Sequence, residues 1–566
     1  MKKLVSVLLS AAIIISCVSV FASGAEEPDL SFAVASDLHY NVPAEALEGE
    51  IDDEIYWYAN RRAAMENESG FIIDEFLNQC AENDDCDFIL ISGDIADHGK
   101  TIPQEHIDAA AKFAAFEEKT GKQIYVINGN HDLGEGSDTT REDFMRIYAD
   151  FGFDEALATD PGTCSYTANL GSKYRLIALD SCTEGGGTAD GLTTDKLDWV
   201  RIQASQAKSD GRYPILMMHH NLLDHMPMQR IFSKNFIVRF HRSTAELFAD
   251  WGIKLVFTGH EHCSDAASYT SAAGNVIYDF ATTSLTMYPL QYRLFELTDD
   301  NICYKAATVD SIDTEALANQ TSGYSEKQLS LMNEGFNAYA KGFLKKRVEY
   351  RISLSLSMEK IGIEPGDFSY DLVNTAVSGL LDILKNPLYG ENGVSTLAKE
   401  YNIDIPQSNY ENGWDVATEL VAAHYAGEEA FSLQSTEVTI FLRLVALVLR
   451  HDLADVADKV FLQAANELLS GFGTSGIASD LTKLGAKVLG PVTPVEYFLL
   501  ALVSPIIYNF AVDSDGINDN HGVLPGYAQV SAEINSANII ENLHSILNNI
   551  MRNLSLFLTV IYKMIF

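Results

Sequence analysis

The chain has 566 residues, several times the size of a usual domain, so more than one compact core is expected. Hydrophobic residues make up 47% of it, which is enough to bury a sizeable core and excludes global disorder. Lysine and arginine number 39 against 79 acidic residues, a formal net charge of -40 at pH 7. Such a surface repels phosphate backbones and anionic lipids, so we expect no nucleic-acid partner and no extensive membrane contact.

Residues 1–25 are predicted to be a signal peptide, because Lys2 and Lys3 precede an apolar run and small residues follow it. This predicts a secreted or cell-surface protein. Two alternatives stay open. The run could be an N-terminal membrane anchor, or residues 14–17 could be a lipoprotein box with Cys17 as the lipidated residue. The apolar run continues past Cys17, which favours the signal peptide over the lipoprotein.

Six cysteines remain after residue 25, without any C-x-x-C pair, so a structural zinc ribbon is not indicated. Cys80 with Cys86, or Cys164 with Cys182, could form disulfides in an oxidising compartment. Isolated thiols in a core are the alternative.

Short apolar runs alternate with helical patterns over residues 29–308, which predicts an α/β or layered αββα domain. The predicted strands are residues 31–35, 88–91, 124–127, 174–179, 214–218 and 255–257, with helices at 71–80 and 106–119 among others. Residues 309–566 are predicted to form a mainly helical domain, with helical spacing in 326–354, 370–384, 436–469 and 537–566. Residues 513–519 resemble a calcium loop but lack its full spacing, so a turn is favoured.

Polar side chains follow these strands where each strand ends. They are Asp37 and His39, then Asp94 and Asp97, then Asn130, His131 and Asp132, then His219 and His220, and finally His260 and His262. Side chains two apart in an extended segment point the same way, so Asp37 and His39 can share one cation. A ligand set of nitrogen and oxygen atoms without cysteine suits Fe, Mn, Zn or Co. His98 and His225 are close enough in sequence to face the same crevice.

These fragments resemble the signature of calcineurin-like metallophosphoesterases: D-x-H, G-D-x-x-D, G-N-H-[DE], H and G-H-x-H. Every position is present between about residues 30 and 308. More narrowly, residues 35–40, 147–152 and 219–225, with Gly191-Leu192 and Leu197-Asp198-Trp199, are similar to secreted bacterial class III cyclic nucleotide phosphodiesterases. The resemblance implies a four-layer αββα sandwich followed by a mainly α-helical C-terminal domain.

The resemblance also implies two divalent or trivalent metal ions (Mn, Fe or Zn) and a role for each signature residue. Asp37, His39 and His262 hold the first ion, Asn130, His219 and His260 hold the second, and Asp94 bridges both. His219 is preferred to His220 because the family ligand is the first of such a pair, and the opposite assignment stays open. A hydroxide between the ions attacks phosphorus, while His131 assists the leaving group and Asp132 steers the imidazole of His131.

The implied function is hydrolysis of small phosphodiesters, cyclic nucleotides included, by an exported enzyme. A phosphomonoesterase or nucleotidase of the same superfamily is one alternative, and a non-catalytic exported binding protein is another. The complete ligand set argues against the binding protein. Purple acid phosphatases have a Tyr three residues after the bridging Asp; this chain has Asp97 there, so no tyrosinate-to-iron colour is expected.

Overall fold

The computed structural model describes residues 29–45, 63–134, 136–182, 192–226, 229, 235–355, 370–428, 431, 435–452 and 517–528. The predicted signal peptide, Gly191, residues 513–516 and the predicted helix at 537–566 lie outside these ranges.

The described strands form two sheets. Their bounds are β1 Leu30–Ala35, β2 Phe88–Ile91, β3 Gln123–Val126, β4 Ala158–Thr159, β5 Tyr166–Leu170, β6 Tyr174–Leu179, β7 Tyr213–Met218, β8 Leu255–Thr258, β9 Asp265–Thr270, β10 Val276–Ala281, β11 Gln291–Leu297, β12 Asn301–Thr308 and β13 His521–Pro525. One sheet has the order β13-β12-β11-β1-β2-β3, and the other has the order β4-β5-β6-β7-β8-β10-β9. Strands β1, β2 and β3 are parallel, as are β6, β7, β8 and β10.

The helices of the first 320 residues are α1 Ser69–Glu82, α2 Pro103–Thr120, α3 Arg141–Ile147, α4 Thr194–Ser209, α5 His241–Asp250 and α6 Thr314–Gln320. Those that follow are α7 Glu326–Glu334, α8 Phe336–Ser355, α9 Tyr370–Lys385, α10 Val394–Glu400, α11 Gly413–Ala426 and α12 Thr436–His451. No helix in the described ranges combines the length and the apolar character that a membrane crossing needs.

The two sheets pack face to face through large apolar side chains, with helices on the outer faces. Phe32 of β1 meets Phe257 of β8 at 5.6 Å between ring centroids, and Phe280 meets Phe295 at 5.0 Å. The outer face of the seven-stranded sheet buries a separate apolar cluster against α4 and α5. On the other side, Phe76 of α1 packs on the six-stranded sheet. The predicted four-layer αββα sandwich is therefore confirmed.

The helical region shares part of its core with the sandwich. Helices α6 to α8 contribute Leu317, Phe336 and Phe343 to the same apolar cluster as the six-stranded sheet, and α11 adds Ala422 and Ala426. Helices α9 to α12 also enclose a cluster of their own. Residues 517–528 return to the first domain, where β13 pairs antiparallel with β12. Segments on both sides of residue 308 are thus bound to one sheet.

The predicted parallel strands lie within two residues of those observed, because buried apolar runs signal them clearly. The strands β4, β5 and β9 to β13 were not predicted, because they are short or have polar residues within their apolar runs. The long helix predicted at 326–354 is two helices, α7 and α8, which meet at Gly335. The cysteines Cys80, Cys86, Cys164 and Cys182 are free thiols in the structure.

Candidate metal centre

The polar residues predicted to bind metal lie on tight turns that follow β1, β2, β3, β7 and β8. Nine non-glycine residues of the described chain have positive φ, and five of them are Asp37, His39, Asp94, His260 and His262. This conformation is uncommon outside glycine and concentrates at functional sites. Asp37 and His39 do not lie in an extended segment, so the prediction from their spacing was wrong in geometry. Asp37 (φ 50°) and His39 (φ 43°) converge because the chain turns at both residues.

The first group of side chains consists of Asp37, His39 and His262. Each offers one ligand atom, and these atoms lie within 4.8 Å of one another. His262 Nε2 is 3.1 Å from Asp37 Oδ1 and 3.3 Å from His39 Nε2. Asp37 and His39 are fully buried, and the His262 side chain is 14% exposed. Two imidazoles and a carboxylate therefore face one point, and His262 is the partly exposed member of the group.

The second group consists of Asp94, His219 and His260, all of them buried. His219 Nε2 lies 3.2 Å from Asp94 Oδ2, 3.2 Å from His260 Nδ1 and 3.0 Å from Asn130 Oδ1. The two groups adjoin, since His219 Nε2 is 4.0 Å from Asp37 Oδ1. The structure thus brings all seven predicted ligands into one cluster.

Two carboxylate oxygens in this cluster, Asp37 Oδ1 and Asp94 Oδ2, are buried and accept no hydrogen bond of adequate geometry. The other oxygen of each carboxylate is used: Asp37 Oδ2 accepts from Ser36 Oγ and from the His260 amide, and Asp94 Oδ1 accepts from the His131 amide. A buried carboxylate oxygen without a partner is unfavourable unless a cation pairs with it. The donors present therefore fit two hard or borderline metal ions.

Glycines let the turns approach this closely. A Cβ atom on Gly129 would overlap Asp94 Oδ1, and one on Gly259 would overlap Ser36 Oγ and Asp37 Oδ2. The glycines of the G-N-H-D and G-H-x-H fragments are therefore required by space at these two positions.

The two carboxylates and His219 hold each other charged. Burial alone raises the pKa of Asp37, but the nearby His262 and His219 lower it to about 2. Burial alone lowers the pKa of His219, but Asp94 and Asp37 raise it to about 9. Burial and the neighbouring rings lower the pKa of His260 well below its usual range. A bound cation would take over the neutralisation that His219 provides to the carboxylates.

Asp97 is a residue whose part in the site was not foreseen. Its Oδ1 lies 3.0 Å from His39 Nδ1, the ring nitrogen turned away from the ligand cluster. A carboxylate at this place fixes the tautomer and orientation of a ligating imidazole. Ligand atoms of His39, Asp97 and His131 also lie within 4.8 Å of one another. The second aspartate of G-D-x-x-D was the signal that could have identified it.

The Nδ1 atoms of His219 and His262 also have contacts, but these differ in kind from the carboxylate beside His39. His219 Nδ1 donates to the carbonyl of Ser92 at 2.9 Å, whereas His262 Nδ1 faces the thioether sulfur of Met287 at 3.1 Å. A thioether is a weaker acceptor than a carbonyl, so the Nδ1 contact of His262 is weaker than that of His219. Nothing in the local sequence around Met287 indicated this contact.

His131 lies at the edge of the first group and is half-buried. Its ring nitrogen Nδ1 is 2.9 Å from the carbonyl of Asp97. Because a carbonyl only accepts, Nδ1 carries a proton, and proton exchange with a substrate falls to Nε2. The two oxygens of Asp132 accept from the amides of Ala96 and Gly129. These contacts favour a role for Asp132 in joining two loops over the predicted role of steering the imidazole of His131. Burial, with Asp94 nearby, raises the pKa of Asp132 to about 7.

The geometry favours His219 over His220 as the ligand. His220 Nδ1 pairs with Ser181 Oγ at 2.9 Å, outside both groups. Burial and the proximity of His219 lower the pKa of His220 to about 3.

His225 does not face the crevice. It is buried between two carboxylates, with Nδ1 2.6 Å from Asp265 and Nε2 3.0 Å from Asp279. His98 is 45% exposed and lies beside Asp97 and Glu105.

The segment that carries the ligand cluster is similar to a known family. Residues 30–264 match the family of calcineurin-like phosphoesterases. This range contains all seven proposed ligands and His131. No curated protein sequence matches the chain.

Two solved structures were found to be similar to about half of the chain. A dimetal phosphatase from Danio rerio is 12% identical, with a TM-score of 0.37, over 50% of this chain and 97% of its own. A purple acid phosphatase from yellow lupin (Lupinus luteus) seeds is 11% identical, with a TM-score of 0.34, over 50% of this chain and 52% of its own.

Proposed function

We propose that the protein is a metal-dependent hydrolase of small phosphodiesters, cyclic nucleotides included. The proposal starts from the match of residues 30–264 to the family of calcineurin-like phosphoesterases. One observation carries the proposal. Five nitrogen- and oxygen-bearing side chains cluster around Asp37 and Asp94, and each of these two carboxylates has a buried oxygen that accepts no hydrogen bond of adequate geometry.

The signature implies which side chains would bind each of the two cations. Asp37, His39 and His262 would hold the first ion, Asn130, His219 and His260 the second, and Asp94 both. Two cations in these positions supply Lewis acidity, which neutralises charge on the phosphoryl oxygens and lowers the pKa of water.

His131 is the proposed proton donor to the leaving oxygen. Its Nδ1 is occupied by the Asp97 carbonyl, so Nε2 is the atom that gives the proton. The amide of the same residue donates to Asp94 Oδ1 at 2.6 Å, which ties the position of the ring to the proposed bridging carboxylate. General acid catalysis of this kind contributes about 10²–10⁴-fold to the rate.

The preference for diesters rests on charge and on the resemblance to class III phosphodiesterases. A diester carries one negative charge near neutral pH, whereas a monoester carries roughly 1.5 to 2. A chain of net charge -40 repels the dianion more strongly, so the monoanionic diester enters the crevice more easily.

The deciding experiment compares bis(p-nitrophenyl) phosphate with p-nitrophenyl phosphate on protein loaded with Mn, Fe or Zn. We expect turnover of both to depend on the metal, with the higher kcat/KM on the diester. A higher kcat/KM on the monoester would support the phosphomonoesterase or nucleotidase alternative. Metal-loaded, folded protein that turns over neither would support a binding protein.

We also propose that the protein is exported and cleaved after about residue 25, because the N-terminal run has the layout of a signal peptide. Mass spectrometry of the mature N-terminus tests this. A lipid on Cys17, or an intact Met1 in purified membranes, would contradict it in favour of an anchor.

A further inference from the structure

A cavity of about 590 Å³ lies at the opposite end of the seven-stranded sheet from the ligand cluster. It opens at the amino ends of β7, β8 and β10, between the last turns of α4 and α5, and Pro525 and Tyr527 of the returning C-terminal segment form one wall. The metal-binding turns follow the carboxyl ends of β7 and β8. The cavity is therefore separated from the ligand cluster by the length of the strands, and its volume is in the range of small-molecule sites.

Charge distinguishes this cavity from the rest of the molecule. Its lining includes Lys208, Arg212 and Lys254 and contains no aspartate or glutamate, although acidic residues outnumber basic ones two to one in the chain. Among the described residues, none of the three cations has a carboxylate within salt-bridge distance. The carboxylate of Asp210, on which Arg212 acts from farther away, is paired with Arg175 at 2.8 Å.

The contacts that these cations do make leave their charge in place. Arg212 donates to the carbonyls of Gly171 and Tyr174, and Lys254 donates to the carbonyl of Gly526. Carbonyls satisfy the donors but do not neutralise their charge. Burial lowers the pKa of Lys254, so a nearby anion would stabilise its charged form. An anion in the cavity would supply the missing negative charge.

Aromatic rings line the same space. Tyr213, Tyr278 and Tyr527 contribute to the wall, with Tyr213 and Tyr527 at 4.9 Å between ring centroids. Lys254 Nζ lies 5.6 Å from the ring of Tyr527. Tyrosine rings offer flat apolar faces for a planar group, while the cations attract an anionic one.

We propose that this cavity is a second binding site, for a small phosphate monoester that carries a planar ring. A dianionic phosphate matches three unpaired cations, and a ring matches the tyrosines. The site does not depend on the metal centre or on the proposed catalytic activity.

The test uses the full-length, metal-loaded protein and adenosine 5′-monophosphate as the probe, with binding measured by calorimetry. We expect saturable binding that weakens about tenfold in Lys208→Ala, since one charged interaction is lost. Lys208 is exposed, so this substitution should leave the fold intact. Lys119→Ala, which removes an exposed positive charge on α2, is the matched control and should bind as the wild type does. Adenosine should bind at least about tenfold more weakly than the monophosphate.

The variant Asp94→Ala distinguishes probe binding in the cavity from probe binding at the metal centre. It should still bind the probe in the cavity with unchanged affinity. Loss of all probe binding in Asp94→Ala would overturn the proposal, because the probe would then occupy the metal centre only. Equal affinities in Lys208→Ala and Lys119→Ala would overturn it as well.

Discussion

The two groups of proposed metal ligands are built from similar side chains but are held in different ways. In the Asp37 group, the imidazoles are backed by side chains, Asp97 behind His39 and Met287 behind His262. In the Asp94 group, His219 is backed by the main chain at Ser92, and the whole group is buried. A main-chain partner cannot be removed by substitution. Substituting the residues behind the imidazoles should therefore change metal binding at the first group. Metal binding at the second group depends instead on the folding of its loops.

The largest effect is expected where the two groups meet. Asp94→Ala removes the carboxylate that faces His219 and holds the His131 amide, so both proposed cations lose a ligand. We expect kcat/KM on the diester to fall by more than about 100-fold, the upper figure for outer partners. The surface variant Asp198→Ala is the control. Activity within a few-fold of wild type in Asp94→Ala would refute the shared role of this residue.

The loop that carries His219 can be tested through its scaffold. Asp279 accepts from the amides of Leu222 and Leu223, and His225 pairs with Asp279 and Asp265. Burial alone lowers the pKa of His225, but Asp279 and Asp265 raise it well above its usual range. A raised pKa stabilises the folded state fully below the unfolded value of about 6.5, and this stabilisation is lost as pH rises through the folded-state pKa.

His225→Gln should therefore lower the free energy of unfolding by about 3 kcal/mol at pH 6, because a buried charge pair loses its cation. Denaturant titrations at pH 6 and at alkaline pH measure this, and the gap between wild type and variant should narrow as pH rises. The half-exposed His451 gives the control His451→Gln, with little expected change. A gap that is constant with pH would mean that the charge of His225 is not what stabilises the loop.

Asp97→Asn tests how far the carboxylate beside His39 contributes to metal binding by the first group. The amide retains the shape but loses the charge behind His39, so metal affinity should fall by about 10–100-fold. Chelator competition with Mn or Zn measures this apart from activity. One of the two ions should be affected, so the metal content at limiting metal should approach one ion per chain. Equal weakening of both ions would remove the distinction between the groups.

Met287→Leu should have the smallest effect. The thioether is a weak acceptor, so its loss should change metal affinity by less than about tenfold. Met287→Gln, which places a stronger acceptor near His262, should raise the affinity relative to leucine. If leucine and glutamine were equal, Met287 would act by packing alone.

Much of the site and part of the fold could be predicted from the amino-acid sequence. The parallel strands are continuous apolar runs, and Asp37, Asp94, Asn130, His219 and His260 follow their ends. Strands β9 to β12 alternate in burial or carry polar residues, and β13 is largely exposed, so the local sequence pattern did not separate them from loops.

The amino-acid sequence by itself determined the chemistry of the site: which residue types follow which strands, and hence which donor atoms are available to a metal. The tertiary structure decided the roles that depend on partners far apart in the chain. Asp97 backs His39, Met287 backs His262, Asp132 joins two loops, and β13 returns to the first sheet. These contacts join residues brought together only by the packing of two sheets. Their geometry depends on left-handed turns and on close approach of the backbone at Gly129 and Gly259. The hydrophobic periodicity of the sequence does not predict either feature.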